Sequence, residues 1–226
     1  MVEYNDYFQL KNPLTRWKSK VSYKARQKMY THFMKVTSPS ENSNLLDIGV
    51  TPDTSLPESN FFEKWYPWTH NIIMTSVEDA SNLEREFKGA KFVRTIPGAE
   101  FPFINKQFDI VFCSAVLEHV GDYPAQAFFI QECLRVGKKL YLTTPNKYFP
   151  IEMHTYLPFV HLLPRKIHQG ILRFLGMDFF AKTENLNLLT SKNIKQLLPN
   201  NIYIYEISYN KTFGLKSNII LFAENI

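Results

Sequence analysis

The chain has 226 residues, of which 26 are lysine or arginine and 21 are aspartate or glutamate, giving a formal net charge of +5. Hydrophobic residues make up 45% and charged residues 21%, as in an ordinary globular protein that buries a large core. No apolar run approaches the roughly 18 residues that a membrane-spanning helix needs, and the N-terminus lacks the apolar core of a signal peptide. We therefore expect a cytoplasmic protein without a transmembrane segment.

The composition also argues against two kinds of site. The mild positive charge, the lack of zinc-ligand spacing and the lack of a long basic run make a nucleic-acid partner unexpected. The two cysteines, Cys113 and Cys133, lie in apolar segments. We expect them to be reduced residues that pack in the core.

Taken in chain order, the apolar pattern predicts one helix and then alternating strands and helices. Apolar or aromatic residues recur between basic ones over residues 14–36, which predicts the first helix. Five strand-length apolar runs follow, at residues 45–48, 71–77, 91–93, 108–113 and 139–144. Helical patterns lie between several of them, at residues 59–65, 80–87 and 124–136. This alternation predicts βαβ units with right-handed crossovers and a parallel sheet whose loops bind a ligand at one edge.

The last third of the chain has a different pattern. Residues 148–176 are rich in proline, aromatic residues and leucine, have mixed periodicity, and are interpreted as an insertion after the fifth strand. Residues 191–198 are predicted to form a short helix. Residues 202–208 and 218–223, with a turn around Gly214, are predicted to form two antiparallel closing strands.

Two motifs at predicted strand ends suggest ligand contacts. Gly49 follows the first strand, where a glycine allows a sharp turn and a close approach of backbone to ligand. Glu78 and Asp79 follow the second strand, where a carboxylate can accept hydrogen bonds from ribose hydroxyls. Alternatively, Gly49 forms a plain turn, and the two acidic residues begin a helix whose dipole they complement.

Four further motifs occur in a fixed order along the chain. They are Pro102-Phe103, Phe108-Asp109, Leu117-Glu118-His119 and Pro145-Asn146. Together with the two strand-end motifs, they resemble the small-molecule branch of class I methyltransferases, often called type 11, over residues 45–146. The resemblance implies a Rossmann-like three-layer α/β sandwich with a mostly parallel seven-stranded sheet and an antiparallel last strand. It also implies S-adenosylmethionine as the cofactor.

The resemblance implies a role for each matching position. At the first turn, Gly49, Val50 and Thr51 would surround the methionine part of the cofactor. After the second strand, Glu78 and Asp79 would hold the ribose, and after the third strand, Ile96 and Pro97 would contact adenine. After the fourth strand, Ser114 and Ala115 would lie beside the transferred methyl group. Two positions depart from the family: the first turn has one glycine instead of two or three, and no acid follows the third strand before Glu100.

Two histidines are the candidate catalytic bases. Methyl transfer to a hydroxyl needs alignment and a proton acceptor, and a histidine titrates near neutral pH. His119 follows the fourth strand and His154 follows the fifth, with Glu118 or Glu152 as the orienting carboxylate. Alternatively, both histidines have only structural hydrogen-bonding roles. No metal is expected, because Ala115 stands where a metal-dependent branch of the family has a glutamate ligand.

These expectations combine into one methyltransferase domain over residues 1–226. Its parts are an N-terminal helical cap (1–40), a cofactor-binding core (41–146), an acceptor-pocket insertion (147–190) and a closing helix and strand hairpin (191–226). Aromatic residues and cations in the insertion suit a small-molecule or glycan acceptor, including an anionic one. The pattern Pro-Asn-x-x-Phe-Pro-x-Glu-x-His from Pro145 resembles enzymes of bacterial surface-polysaccharide biosynthesis. A catalytically degenerate binding subunit and, less favoured, an RNA methyltransferase are the alternatives.

Overall fold

A computed structural model describes residues 13–200, 202 and 204–224, with side chains from Lys18 onward. Seven strands form one sheet in the order β3-β2-β1-β4-β5-β7-β6. Strands β1 to β5 pair in parallel, while β7 runs antiparallel to both β5 and β6. The strands are β1 (Leu45–Ile48), β2 (Ile72–Ser76), β3 (Lys91–Arg94), β4 (Phe108–Ser114), β5 (Gly137–Pro145), β6 (Ile204–Thr212) and β7 (Leu215–Glu224).

Six α-helices accompany the sheet within the described residues. They are α1 (Pro13–Thr37), α2 (Phe61–Trp65), α3 (Leu83–Glu86), α4 (Tyr123–Val136), α5 (Arg165–Phe174) and α6 (Ser191–Leu197). Local sequence explains two helix starts. Asp122 caps α4 by accepting a hydrogen bond from the Ala125 amide, and Thr190 and Asn193 form a reciprocal capping box at α6. None of the described helices combines the length and the apolar content needed to cross a membrane.

Both faces of the sheet are covered. Successive residues of a strand point to opposite faces, so neighbouring residues of one strand belong to different core clusters. Leu46 belongs to a core cluster that includes residues of α4 and α6. Its neighbour Leu45 belongs to a second cluster that includes residues of α1, α2 and α3. This helix–sheet–helix layering and the strand directions confirm the predicted Rossmann-like fold with an antiparallel last strand.

Most predicted elements are present within a few residues of their predicted bounds. The exception is α5, which lies inside the segment interpreted from sequence as an insertion of mixed periodicity. The two cysteines are free and buried, as expected of packing residues, and burial raises the pKa of both thiols. The proposed division into domain parts stays a prediction.

The parallel pairing brings the ends of three strands together. Ile48, at the end of β1, pairs with Thr75 of β2 on one side and with Cys113 of β4 on the other. Because these strands are parallel, their following loops leave the sheet at the same edge. The loops that follow β1, β2 and β4 therefore start next to one another. They contain Gly49, the acidic pair Glu78 and Asp79, and His119.

Candidate active site

The turn after β1 requires its glycine. Gly49 has φ of +96°, in the region that favours glycine. A Cβ at this position would overlap the Cγ2 atom of Val116, which lies in the loop after β4. The glycine therefore lets the loops after β1 and β4 approach each other closely.

The backbone amides of this turn are already paired within the protein. The Gly49 and Val50 amides both donate to the carbonyl oxygen of Thr75, at 2.8 and 3.2 Å. The Thr51 amide donates to Oδ1 of Asn60 at 3.0 Å, and Nδ2 of Asn60 donates back to the Thr51 carbonyl at 2.8 Å. A ligand at this turn would therefore meet carbonyl oxygens and side chains instead of free amides.

The two adjacent acidic residues after β2, Glu78 and Asp79, differ in their hydrogen bonding. Oδ1 of Asp79 accepts a hydrogen bond from the Ser81 amide at 3.0 Å, and this bond lowers the pKa of the exposed Asp79 carboxyl. Glu78 is exposed, and no hydrogen bond or ion pair within the described residues engages its carboxylate. Asp79 shapes the turn, whereas the Glu78 carboxylate is available to a ligand.

Apolar side chains flank this acidic turn. Val77 at the end of β2 is 48% exposed, and Ile96 after β3 is 73% exposed. Pro97 is exposed beside Ile96. The Thr95 amide donates to the Ser76 carbonyl at 2.9 Å, which holds the ends of β2 and β3 together. These exposed groups form an apolar border to the edge at which Glu78 lies.

The end of β4 is held against β5. Oγ of Ser114 lies 3.0 Å from Oγ1 of Thr143, and the Ala115 amide donates to the Thr143 carbonyl at 2.8 Å. Ala115 has φ of +58°, an uncommon conformation for a residue with a Cβ. Such strain is often found at functional sites, where the surrounding structure enforces it.

The two candidate catalytic histidines contact each other directly. Nε2 of His119 lies 3.1 Å from Nε2 of His154, although the two residues are 35 positions apart. Nδ1 of His119 donates to the Asn185 carbonyl at 2.6 Å, and Nδ1 of His154 donates to Oε1 of Glu152 at 2.6 Å. With both Nδ1 atoms acting as donors, each neutral ring has only a lone pair at Nε2. The 3.1 Å contact therefore favours a proton shared between the two rings.

A buried carboxylate lies beside this pair. Oε1 of Glu118 is 3.9 Å from Nε2 of His119 and 4.0 Å from Nε2 of His154, and it has no hydrogen-bond partner within the described residues. The other oxygen of Glu118 accepts from Thr144 Oγ1 at 2.8 Å. One ligand-type atom from each of the three residues lies within 4.8 Å of the other two. That geometry suits a shared proton or a metal ion, and the absence of a metal stays a prediction.

The electrostatics of His154 favour its protonated form. Burial by itself would lower the pKa of His154, but the hydrogen bond and charge of Glu152 and the charge of Glu118 outweigh it, so the pKa is raised. Burial would raise the pKa of Glu152, yet the bonds and charge from His154 and the bond from Thr155 lower it to about 2. Glu152 is therefore a carboxylate that orients the His154 ring and stabilises a proton on it.

Helix α1 contacts the segment after β5 beside this centre. Nζ of Lys18 lies 3.3 Å above the ring of Tyr156. Ser19 Oγ donates to Oε2 of the buried Glu58 at 2.6 Å, which attaches α1 to the loop after β1. Helix α1 and the segment after β5 thus meet at Tyr156, two residues after His154.

Three contributors to this region were not identified from sequence. Asn60 holds the first turn, Thr144 holds Glu118, and the Asn185 carbonyl orients His119. Asn60 has φ of +47°, a conformation that asparagine tolerates better than most residues, and an asparagine in a loop is only a weak turn signal. The carbonyl of Asn185 carries no side-chain signal, because any residue offers one.

Comparison with known proteins identifies the fold and family. A family model described as a methyltransferase domain, Methyltransf_23, matches residues 22–201. No curated protein matches the chain. The family is numbered differently from the type 11 group that the motifs resemble, and both are methyltransferases.

Three solved structures illustrate the likeness in fold. Magnesium protoporphyrin IX methyltransferase (ChlM) from Synechocystis, solved with bound SAH, has a TM-score of 0.58 and 13% identity, covering 96% of this chain and 90% of that one. The N-methyltransferase NodS from Bradyrhizobium japonicum, in complex with S-adenosyl-L-homocysteine, has a TM-score of 0.52 and 12% identity, with coverages of 96% and 89%. The YcgJ protein from Bacillus subtilis has a TM-score of 0.54 and 13% identity, with coverages of 88% and 96%.

At such identities the structural neighbours show the fold alone, but the family model matches well over half of the described chain. The chain therefore belongs to the methyltransferase-domain family.

Proposed function

We propose that this protein transfers a methyl group from S-adenosylmethionine to an oxygen of a small-molecule or glycan acceptor, in the cytoplasm. Family membership supports the reaction class. The observation that supports an oxygen acceptor is the His119–His154 contact, which provides a proton acceptor at the sheet edge where the cofactor loops begin. The structural neighbours act on different acceptors, so the acceptor class rests on this chain's own residues.

The described residues fit the cofactor in three respects. The unengaged Glu78 carboxylate suits a pair of ribose hydroxyls, and the exposed side chains of Val77, Ile96 and Pro97 suit the flat adenine ring. The carbonyl oxygens of the turn at Gly49 suit the methionine ammonium, since its amides are paired. The cofactor supplies an electrophilic methyl group on a sulfonium.

The remaining cofactor contacts in this proposal come from the loops after β1 and β4. Gly49, Val50 and Thr51 would hold the methionine part, and Ser114 and Ala115 would hold the part that carries the transferred methyl group. Asp79 acts indirectly, because its carboxylate holds the turn that presents Glu78.

The acceptor is activated by the histidine pair. When the proton shared by the two rings is absent, the pair would take the proton of the acceptor hydroxyl and hold it between Nε2 of His119 and Nε2 of His154. The cofactor would supply the methyl group and leave as S-adenosyl-L-homocysteine. Glu152 and Glu118 stabilise the resulting positive charge on the pair. The tied Nδ1 atoms keep both rings aligned, so little reorganisation is needed during the reaction.

The segment after β5 supports a sugar-type acceptor. It places Tyr156 beside Lys18 and carries His154, so aromatic and cationic groups lie next to the proton acceptor. Sugars stack on aromatic rings and anionic sugar derivatives pair with cations. A glycan or sugar phosphate, as in surface-polysaccharide biosynthesis, is therefore the preferred acceptor.

A catalytically degenerate binding subunit is the second candidate. The observation that favours it is the pairing of all three amides of the altered first turn. Isothermal titration calorimetry separates the candidates, because the enzyme should bind S-adenosylmethionine and its demethylated product. A lack of heat at cofactor concentrations of about 1 mM would favour the degenerate subunit.

Turnover is tested with methyl-labelled cofactor and a panel of sugars, sugar phosphates and lipid-linked sugars. We expect label transfer to a member of this panel, slowed roughly 10²–10⁴-fold by His119→Gln or His154→Gln with unchanged cofactor affinity. His70→Gln is the control, since His70 lies before β2 and away from the pair. Equal turnover by all three variants would contradict the assigned base.

A further inference from the structure

Exposed apolar side chains are concentrated in one part of the described surface. Of sixteen large hydrophobic residues that are exposed, nine lie between residues 148 and 179, a small fraction of the chain. Six of them form the set that we call the apolar face: Phe159, Leu162, Leu163, Ile167, Phe174 and Leu175. A concentration of this kind marks an interaction site, since exposed apolar residues are otherwise scattered singly.

Helix α5 explains how this face arises. Leu172 is fully buried and anchors one side of the helix, with Ile171 and His168 half-buried beside it. Ile167, Gly170 and Phe174 follow a spacing of three and four residues, so they share the opposite side. Ile167 is 53% exposed and Phe174 88% exposed, and a Cβ at Gly170 would meet nothing within 4 Å. This side of α5 has no partner within the described residues.

Cations border the apolar side of α5 along one flank. Lys166 and Arg173 are exposed and seven residues apart, so they share one side of the helix beside Ile167 and Phe174. No hydrogen bond or ion pair within the described residues engages their head groups. Arg165, at the start of the helix, is exposed and donates a hydrogen bond to Thr183. The sequence contains no aspartate or glutamate between Glu152 and Asp178. The apolar side of α5 is therefore positive along one border.

We propose that the apolar face binds the surface of an anionic lipid bilayer. An amphipathic helix with apolar residues on one side and flanking cations lies in the bilayer interface, with its apolar side among the acyl chains and its cations at anionic headgroups. Helix α5 presents Phe174 and Ile167 in this way, and Leu163 and Leu175 extend the face at both helix ends. Charge complementarity favours an anionic bilayer over a second copy of this chain, whose identical face would bring like charges together.

Binding to a bilayer would orient the candidate active site. The segment that carries the apolar face also carries His154, so the proton acceptor and the bilayer contact belong to one part of the fold. Binding itself does not depend on methyl transfer, so it can be tested without an acceptor and can fail without affecting the proposed reaction.

Sedimentation with lipid vesicles tests the proposal on the full chain. Vesicles of equal parts phosphatidylglycerol and phosphatidylcholine are compared with vesicles of phosphatidylcholine alone. We expect binding to the anionic vesicles, weakening as salt is raised, and at least about tenfold weaker binding to the neutral ones.

Two paired variants separate the apolar and charged contributions. Ile167→Gln with Phe174→Gln should lower the partition coefficient at least about tenfold, because two apolar side chains leave the interface. Lys166→Gln with Arg173→Gln should lower it by about fivefold for each cation removed. The matched controls are Ile104→Gln with Leu215→Gln, and Lys91→Gln with Lys195→Gln, which change exposed residues elsewhere. The controls should bind as the unchanged protein does.

Three outcomes would overturn the proposal. These are no sedimentation with either vesicle, equal binding to both vesicles, or equal loss in the α5 variants and their controls. Light scattering adds a fourth: a dimer that the Ile167→Gln, Phe174→Gln variant dissociates would assign the face to a second copy of the chain. Circular dichroism and calorimetric cofactor binding verify that each variant remains folded.

Discussion

Replacing Glu152 with glutamine removes the charge that stabilises a proton on His154 while keeping the side chain's size. The carboxylate accepts a 2.6 Å hydrogen bond from His154 Nδ1 and bonds from the amide and hydroxyl of Thr155 at 2.6 and 2.7 Å. Its pKa is lowered to about 2 from an ordinary 4.5, in large part by His154. Because the interaction is reciprocal, the hydrogen bond and charge of Glu152 raise the pKa of His154. A neighbouring opposite charge is typically worth about 1–3 pH units.

We therefore expect Glu152→Gln to lower the pKa of His154, because the largest contributions that raise it come from Glu152. Nuclear magnetic resonance titration of the histidine ring protons measures this without an acceptor. With an acceptor, the acidic limb of the pH profile of kcat/KM should move to lower pH, since the pair acts as a base only when its shared proton is absent. Glu86→Gln, which changes an exposed glutamate of α3, is the control. An unchanged His154 pKa in Glu152→Gln would refute the assigned coupling.

The same coupling fixes the sign of a pH effect on stability. The raised pKa of His154 contributes stability that is present below its unfolded-state value of 6.5 and is lost as pH rises through the folded-state value. The lowered pKa of Glu152 contributes stability that is present above 4.5 and is lost as pH falls towards about 2. The free-energy difference between the unchanged protein and Glu152→Gln should therefore be largest between these limits. A difference that grows steadily above pH 7 would contradict this sign.

Three further predictions concern the cofactor loops and the histidine pair. Glu78→Ala should weaken S-adenosylmethionine binding by about 1–3 kcal/mol in calorimetry, whereas Glu86→Ala should not, and equal affinity would remove Glu78 from the site. Asn60→Ala should lower the free energy of unfolding by about 1–3 kcal/mol and weaken cofactor binding, because the Thr51 backbone loses its partner; denaturant unfolding without a shift in midpoint would contradict this. Elemental analysis of the protein after dialysis should find no metal, and a stoichiometric metal that His154→Gln removes would show that a cation, not a proton, joins the histidines.

The fold could be predicted from the sequence because each buried strand is a short run of apolar residues, which is visible in the local sequence. Leu45 and Leu46 illustrate this, since adjacent apolar residues in a strand must be covered on both faces of the sheet, and they are. Helix α5 was missed although its ten residues have a strong contrast between an apolar and a polar side. The prolines, aromatic residues and leucines around it give residues 148–176 a mixed periodicity that hides the helix.

The candidate site was predictable only in part. The strand-end positions of Gly49 and Glu78 followed from the motif order, and the fold places both loops at one edge. The sequence could not show that Asp79 accepts a hydrogen bond from the Ser81 amide while the Glu78 carboxylate has no such partner. That difference depends on the conformation of the backbone at this turn. The contact between His119 and His154 joins two loops across the sheet edge, and no local pattern reports the distance between them.

A crystal structure of this protein with S-adenosyl-L-homocysteine tests the central claim most directly. We predict that the ribose hydroxyls lie within hydrogen-bond distance of the Glu78 carboxylate and that the sulfur faces the side on which His119 and His154 meet. A ligand bound at another edge of the sheet, or a sulfur directed away from the two histidines, would contradict the account.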